Sequence, residues 1–314
     1  MINVVVNKIS KEAEGIISLE LLAKNNEILP NFSAGSHIDL HLPNGLIRQY
    51  SLSNCPSENK RYEIAVLKDP VSRGGSVAVH ELRQGEELTI SEPRNLFPLV
   101  NHASKYKLFA GGIGITPILC MAERLYTIGA DFELHYFSKS KKYAAYLNRI
   151  EQSPFLKHVF LKFDDERAED FNIHDVLKNA PDHHLYVCGP SGFMNFILDN
   201  AVQCGWKDDY LHKEFFSAEK IDSDLNQEFD IKIASTGDVF TIKKDDSIIE
   251  VLGKNGIDIP LSCEQGICGT CITRVLEGEP DHRDMYFSDE ERQANNQFLP
   301  CCSRSKSKLL ILDL

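Results

Sequence analysis

The chain lacks what a membrane or nucleic-acid protein needs. No run of eighteen apolar residues occurs in its 314 positions, which excludes an apolar membrane-spanning helix. The opening "MINVVVNKIS" lacks the basic region, apolar core and cleavage site of a secretory signal. The expectation is a cytoplasmic protein in a reducing compartment. Positive charge is in deficit: 34 Lys and Arg stand against 46 Asp and Glu, a formal net charge of −12. That argues against nucleic acid or an anionic membrane surface as partner and leaves a basic protein partner open. There is no internal repeat and no low-complexity tract. Hydrophobic residues at 42% and charged residues at 25% are ordinary for a globular protein, and the length suits two or three domains.

Cysteine is scarce too, nine in all, yet three fall within "CEQGICGTC", Cys263 to Cys271. In a reducing compartment such clustering points to metal or redox work rather than disulfides. Cys263, Cys268 and Cys271 have the C-x4-C-x2-C spacing of a plant-type [2Fe–2S] cluster, which a distant fourth cysteine completes. Zinc sites favour paired C-x2-4-C spacings instead. Gly266 and Gly269 let the loop bend and turn amides toward the sulfurs. The fourth ligand lies in "FLPCCSRSK", as Cys301 or Cys302. Alternation along a strand would aim only one of them at the cluster, and Cys301 is the expected one. Cys55, Cys120 and Cys204 read as packed small residues.

Three segments follow one another. The first hundred residues hold "IISLELLA", "HIDLHL", "YEIAVLKD" and "ELTISEP", short strands between turns, which predicts a small antiparallel β-barrel. From Lys107 strands alternate with helices: "KLF", a glycine turn and an amphipathic helix, then "DFELHYFS", a helical "KKYAAYLNRI", "HVFLKF" and "HHLYVCGP". That predicts a parallel α/β sheet of nucleotide-binding type. The polar "SAEKIDSDLNQE" reads as a linker. Two strands, "FDIKIAST" and "DVFTIKK", and a helix "SIIEVLGKNG" then lead into the cysteine loop. The expected domains are 1–102, 103–217 and 229–314, with a linker at 218–228.

Two stretches of the first segment suit a phosphorylated ring cofactor. In "RQYSLS", Arg48 can grip a phosphate through paired hydrogen bonds, Tyr50 can lie along a ring system, and Ser51 can bond its polar edge. "SRGGS", Ser72 to Ser76, offers free amides and a hydroxyl. In "AGGIGITP", glycines that open a helix let a pyrophosphate approach the backbone, although the dinucleotide G-x-G-x-x-G is not reproduced. "YVCGPSGFM" places Cys188 at a strand's carboxyl end, where such folds bind ligands.

"RQYSLS", "RGGS", "AGGIGITP", "CGP", "HKEFF", the cysteine loop and "GEPDHRDMYFSDEER" occur in this order, and over essentially the whole chain the sequence resembles the phthalate dioxygenase reductase family. The resemblance implies a flavin barrel, a nicotinamide α/β domain and a β-grasp ferredoxin domain. It implies FMN, held by Arg48, Gln49, Tyr50, Ser51, Ala65, Leu67, Gly74, Gly75 and Ser76. Gly111, Gly112, Gly114, Thr116, Pro117, Cys188, Gly189 and Pro190 would bind the nicotinamide nucleotide. Thr116 and Cys188 would serve catalysis beside the ring, with Phe216 over the flavin face and Phe215 as its rival. The implied function is that of a reductase moving electrons from NADH through FMN and the cluster to a terminal Rieske-type oxygenase. A cytochrome or diiron hydroxylase is the alternative acceptor. NADH is expected although "SKSKK" sets Lys139, Lys141 and Lys142 where an acidic residue often reads the ribose.

Overall fold

Alternation of buried and exposed side chains builds the first sheet. In the computed structural model the described residues are 1–25, 27–69, 74–100, 103–166, 171–178, 183–216 and 226–314. Strands β1 (Ile2–Ala13), β2 (Ile16–Ala23), β3 (Ser36–His41), β4 (Ile47–Ser51) and β5 (Tyr62–Leu67) are followed by helix α1 (Gly75–Glu81) and strands β6 (Glu87–Ile90) and β7 (Arg94–Asn95). The antiparallel order is β4-β3-β6-β1-β2-β5, with β7 on β3. Val4, Val6, Leu19, Leu21, Ile38, Leu40, Tyr62 and Ile64 recur two apart and share one core. Beyond β4 the chain closes the barrel, since the Ser53 amide donates to the Glu63 carbonyl at 2.8 Å. Strand β1 is not legible by alternation, because register shifts at Val6/Lys8 and Lys11/Ala13 break its period of two.

The next elements are β8 (Lys105–Gly111), α2 (Ile115–Thr127), β9 (Phe132–Ser138), α3 (Leu147–Glu151), β10 (Val159–Phe163), α4 (Ile173–Leu177), β11 (His183–Cys188), α5 (Ser191–Gln203) and β12 (Leu211–Glu214). Their sheet is parallel throughout, in the order β10-β9-β8-β11-β12. The order reverses between β8 and β11, which opens a crevice at the carboxyl ends of those strands. The Val100 amide donates to the Tyr186 hydroxyl at 2.7 Å, anchoring the segment that leaves the barrel. One expectation fails in part. The helix read from "KKYAAYLNRI" is only a 3-10 turn at Lys141–Tyr143 and then the short α3. Tyr146 interrupts it with a left-handed φ of 61°, its ring buried and its hydroxyl 2.7 Å from Ser53 Oγ. Tertiary contact here overrides helix propensity.

The chain divides into two compact units, Met1–Glu214 and Phe215–Leu314. The second holds β13 (Phe229–Ile233), β14 (Val239–Ile242), α6 (Ile248–Lys254), β15 (Thr273–Glu277), β16 (Pro280–Asp281), α7 (Asp289–Gln293), β17 (Gln297–Phe298), β18 (Arg304–Ser305) and β19 (Leu309–Leu312). Its mixed sheet runs β14-β13-β19-β15-β17, with β13 and β19 parallel. Phe229, Ile231, Ile248, Leu252, Val275, Phe298 and Leu310 form its core. Most of the expected linker lies outside the described residues. Among the described residues no helix is long and apolar enough to cross a membrane.

Ile231 is fully buried in that core, so Ile231→Ala should cost about 2–5 kcal/mol. Val239, 56% exposed, should tolerate Ala within about 0.5 kcal/mol. Chemical denaturation of the two variants checks both, and equal midpoints would contradict the packing described.

Candidate functional site

The cysteine loop leaves α6 and is not helical or extended anywhere between Ser262 and Ile272. Its thiols meet. Cys263 hydrogen-bonds with Cys268, and Cys301 with both Cys271 and its neighbour Cys302. Among the described residues no group of three or more candidate ligands converges on one point. Two irons sharing a cluster need four thiolates, two to each, and the loop and the Cys301–Cys302 turn bring five cysteines together. The Gln265 amide lies 3.3 Å from Cys263 Sγ and the Thr270 amide 3.4 Å from Cys268 Sγ, so the loop turns amide protons toward the sulfurs as expected.

Gly266 holds a left-handed φ of 71°, and a Cβ there would come within 2.5 Å of Cys302 Sγ and 3.0 Å of Asp284 Cα. No larger residue fits the cradle. The expectation of strand alternation at the fourth cysteine is overturned. Cys301 and Cys302 lie in a turn, because the Leu299 carbonyl accepts from both the Cys302 and Ser303 amides, at 3.2 and 3.0 Å. Both are partly exposed, and it is contact with Cys271 that distinguishes Cys301.

In the first unit the fold gathers the sequence motifs. Arg48, Gln49, Tyr50 and Ser51 lie on β4. Arg48 packs across the start of α1, so a Cβ on Gly75 would meet Arg48 Cγ at 2.6 Å. Gly74 precedes that helix with a left-handed φ of 85°. Ser72 and Arg73 lie outside the described residues. Ser76 Oγ accepts from the Asp69 amide at 3.0 Å. Gln49 is committed to Asp39, at 3.0 Å. Ala65 is buried on β5, while Leu67 at its end stays 43% exposed. Burial pushes the Tyr50 phenol up to about 12.

Gly111 ends β8, Gly112–Gly114 form a 3-10 turn, and Thr116 and Pro117 are buried in the first turn of α2. Thr116 Oγ1 donates to the Ile113 carbonyl at 3.2 Å. A Cβ on Gly114 would lie 2.7 Å from the Gly189 amide nitrogen and overlap the Cys188 carbonyl. "AGGIGITP" and "CGP" therefore form one wall of the crevice, with Pro190 capping α5. The Cys188 side chain is fully buried, and burial and the nearby Glu214 hold its thiol well above the usual range. It stays neutral. Phe215 and Phe216 follow β12 directly and are each half-buried, so burial does not choose between them.

Comparison with known proteins shows the family. The family of 2Fe-2S iron-sulfur cluster binding domains matches residues 231–306. The vanillate O-demethylase oxidoreductase of Pseudomonas putida is 51% identical over 317 residues, covering 100% of both chains. A solved phthalate dioxygenase reductase, described as a modular structure for electron transfer from pyridine nucleotides to [2Fe-2S], is 36% identical. It superposes with a TM-score of 0.80 over 99% of this chain and 97% of its own. The chain belongs to the phthalate dioxygenase reductase family. It is an iron–sulfur flavoprotein oxidoreductase. An intact type IV self-sufficient cytochrome P450 monooxygenase is also similar, 34% identical with a TM-score of 0.82, over 100% of this chain and 41% of that one.

Two buried acids of this family member were not legible. Asp284, 2% exposed, accepts from the Tyr286 and Phe287 amides at 3.1 and 2.9 Å. Beside it the Met285 amide donates to the Gly266 carbonyl at 2.9 Å, which stitches "DHRDMYF" onto the cysteine loop. Glu214 ends β12 opposite Cys188, and Ser51 Oγ donates to it at 3.3 Å. The residue keeps some exposed surface, but protein crowds its carboxyl, and this desolvation pushes it up to about 8 against the pull of Ser51. Only "HKEFF" hinted at it.

A carboxyl raised in the folded state makes folding weaken as pH rises from its unfolded value, near 4.5, through about 8. Glu214→Gln should flatten that decline, which in the parent should exceed about 1 kcal/mol. Denaturant titrations at pH 5 and pH 8.5 measure it, and an unchanged slope in the variant would remove Glu214 as the titrating group.

Proposed function

We propose that this protein is the reductase component of a Rieske-type oxygenase system, moving electrons from NADH through FMN and a [2Fe–2S] cluster to the terminal oxygenase. The observation that carries the reading is the presence in one chain of clustered thiols and of a nucleotide-type crevice tied to the barrel through Ser51 and Glu214. Bound flavin supplies the conversion of a two-electron donor into single electrons.

The chain's own residues do the holding. Arg48, with Gly74, Gly75 and Ser76, binds the FMN phosphate, which the packing of Arg48 over Gly75 supports. Gln49, Tyr50, Ser51, Ala65 and Leu67 hold the ring. Gly111, Gly112, Gly114, Pro117, Gly189 and Pro190 bind the nicotinamide nucleotide. Thr116 and the neutral Cys188 position its ring, and Phe216 covers the flavin. FMN is favoured over FAD because no evident aromatic insertion offers a stack for adenine. NADH is favoured because Lys141 is paired with Glu166, at 2.9 Å; the basic run thus carries a carboxylate beside it.

Cys263, Cys268, Cys271 and Cys301 would hold the cluster through their thiolates, and the cluster would supply one-electron transfer. The ferredoxin segment 229–314 has fifteen Asp and Glu against ten Lys and Arg, which suits a basic docking surface and speeds encounter. We keep the domains at 1–102, 103–217 and 229–314, with 218–228 as linker, and a cytoplasmic site of action. The likeness to the P450 monooxygenase supports one second reading, a cytochrome as acceptor.

Purified protein should yield about one FMN and two irons per chain, measured by chromatography of acid-released flavin and by metal analysis. Recovery of FAD would overturn the FMN assignment alone. Cys268→Ser should lose the cluster, yet NADH should still bleach its flavin.

The fourth ligand has its own test. Cys301→Ser should abolish or strongly shift the visible and paramagnetic signature of the reduced cluster, because a hydroxyl is a harder ligand than thiolate. Cys302→Ala should keep it. The reverse pattern would transfer the assignment to Cys302.

A further inference from the structure

Arg149 joins three elements that lie far apart in sequence. It projects from α3, and its Nη1 donates to Glu63 Oε1 on β5 at 2.5 Å. Its Nε and Nη2 reach both oxygens of Glu123 on α2, each at 2.8 Å. Its Nη2 also donates to the Ser53 carbonyl, just past β4, at 3.3 Å. The guanidinium lies 5.4 Å from the ring centre of Tyr146, whose hydroxyl meets Ser53 Oγ. The side chains are mostly buried, at 25% exposure for Arg149, 13% for Glu63 and 16% for Glu123.

This linkage spans the two halves of the first unit. Ser53 ends the stretch "RQYSLS", two residues past Ser51. Glu63 shares β5 with Ala65 and Leu67. Glu123 stands on the same helix as Thr116, seven residues along, or about 10 Å at 1.5 Å per residue. One planar fork thus fixes the strand that carries Tyr50 and Ser51 against the helix that carries Thr116. Ion pairs this buried contribute little net stability compared with apolar packing of the same volume. What they supply is a fixed geometry, since a bidentate guanidinium tolerates little rotation.

We propose that Arg149 is a positioning residue for flavin reduction, holding the flavin strand and the nicotinamide helix at the spacing the reaction needs. This rests on the reading that β4 and β5 hold the flavin and that the start of α2 holds the nicotinamide. Arg149 touches neither cofactor segment's ligand-facing groups. It acts through Ser53, Glu63 and Glu123. Misplacement of reacting groups by about 1 Å can cost on the order of 100-fold, so a clamp at this distance has leverage.

The experiment uses the intact holoprotein and the variants Arg149→Met, Arg149→Lys and Glu123→Gln. Rapid mixing with NADH reports flavin reduction. Addition of NAD+ to the chemically reduced protein reports, at equilibrium, the long-wavelength charge-transfer absorbance of stacked rings. Arg149→Met should slow flavin reduction by about 10- to 100-fold and weaken that absorbance per bound flavin. Flavin content and electron passage from dithionite-reduced flavin to the cluster should stay at parent values. Arg149→Lys should fall between, since it keeps the charge and loses the fork. Glu123→Gln leaves the barrel side of the clamp intact and serves if Arg149→Met does not fold; it should show the same selective loss. Parent-like absorbance and reduction in the folded variants would overturn the proposal. So would a loss that merely tracks flavin content, as a purely structural role would give. A parent protein that binds no flavin would instead overturn the reading beneath it, before any variant is made.

Discussion

Backbone meets backbone without room for a side chain between the β8–α2 turn and the end of β11, and the candidate site depends on it. Gly114 sits against the carbonyl of Cys188 and the amide of Gly189, with no room for a Cβ. Parallel strands β8 and β11 are neighbours because the strand order reverses there. Their connections therefore leave on opposite faces, and the carboxyl ends are left open between them. Where Gly114 meets the end of β11, Cys188 is fully buried and its thiol stays protonated. The same contact sets Glu214, across from Cys188 on β12, toward the barrel, where Ser51 meets it. A side chain at Gly114 would part the two walls and carry Glu214 away from Ser51.

The chain's scarcity of cations shapes where the few it has are placed. In the barrel Arg94 donates to both oxygens of Asp39 at 2.7 Å, and burial together with Arg94 lowers the neighbouring His37 to about 4. Arg61 serves Glu58, Glu63 and Glu20. Arg149 bridges Glu63 and Glu123. In the second unit Arg304 donates to the carbonyls of Asp246, Lys243 and Gln227. Arginine is used where several acceptors converge, which its planar fork permits and lysine's point charge does not. Cations committed inside leave the acidic excess on the surface. The negative balance of the ferredoxin segment is set by its composition, fifteen acids to ten bases, and charge alone says little about which partner it meets.

What could be read from the sequence was local. The C-x4-C-x2-C spacing, the glycine turn after "KLF" and the period-two strands each fit within about ten residues, and each reappears in the fold. What escaped was either irregular or long-range. Strand β1 was hidden by its bulges. The helix at Lys141 was shortened because Tyr146 is drawn into the barrel by Ser53, 93 residues away. Glu63, Glu123 and Arg149 carry no motif, since nothing in a single strand or helix says that its charge will be buried by another. Asp284 looked like one acid in an acidic stretch, "DHRDMYFSDEER", and only the fold shows it closed over by the cysteine loop.

The adjacent cysteines show the same limit from another side. On a strand, Cys301 and Cys302 would face opposite ways, and one would be irrelevant to the cluster. In the turn made by Leu299 that alternation is lost. Cys302 Sγ then fills the space where Gly266 would otherwise carry a side chain, and its thiol reaches toward the Leu299 carbonyl at 3.6 Å. Cys301 is left to meet Cys271. The contacts of the two residues differ: Cys302 packs against Gly266, and Cys301 reaches both Cys302 and Cys271. Behind Gly266, Cys302 Sγ and the buried Asp284 fill the volume that a side chain would take. On the proposed ligand assignment, position 302 therefore answers to volume and position 301 to sulfur.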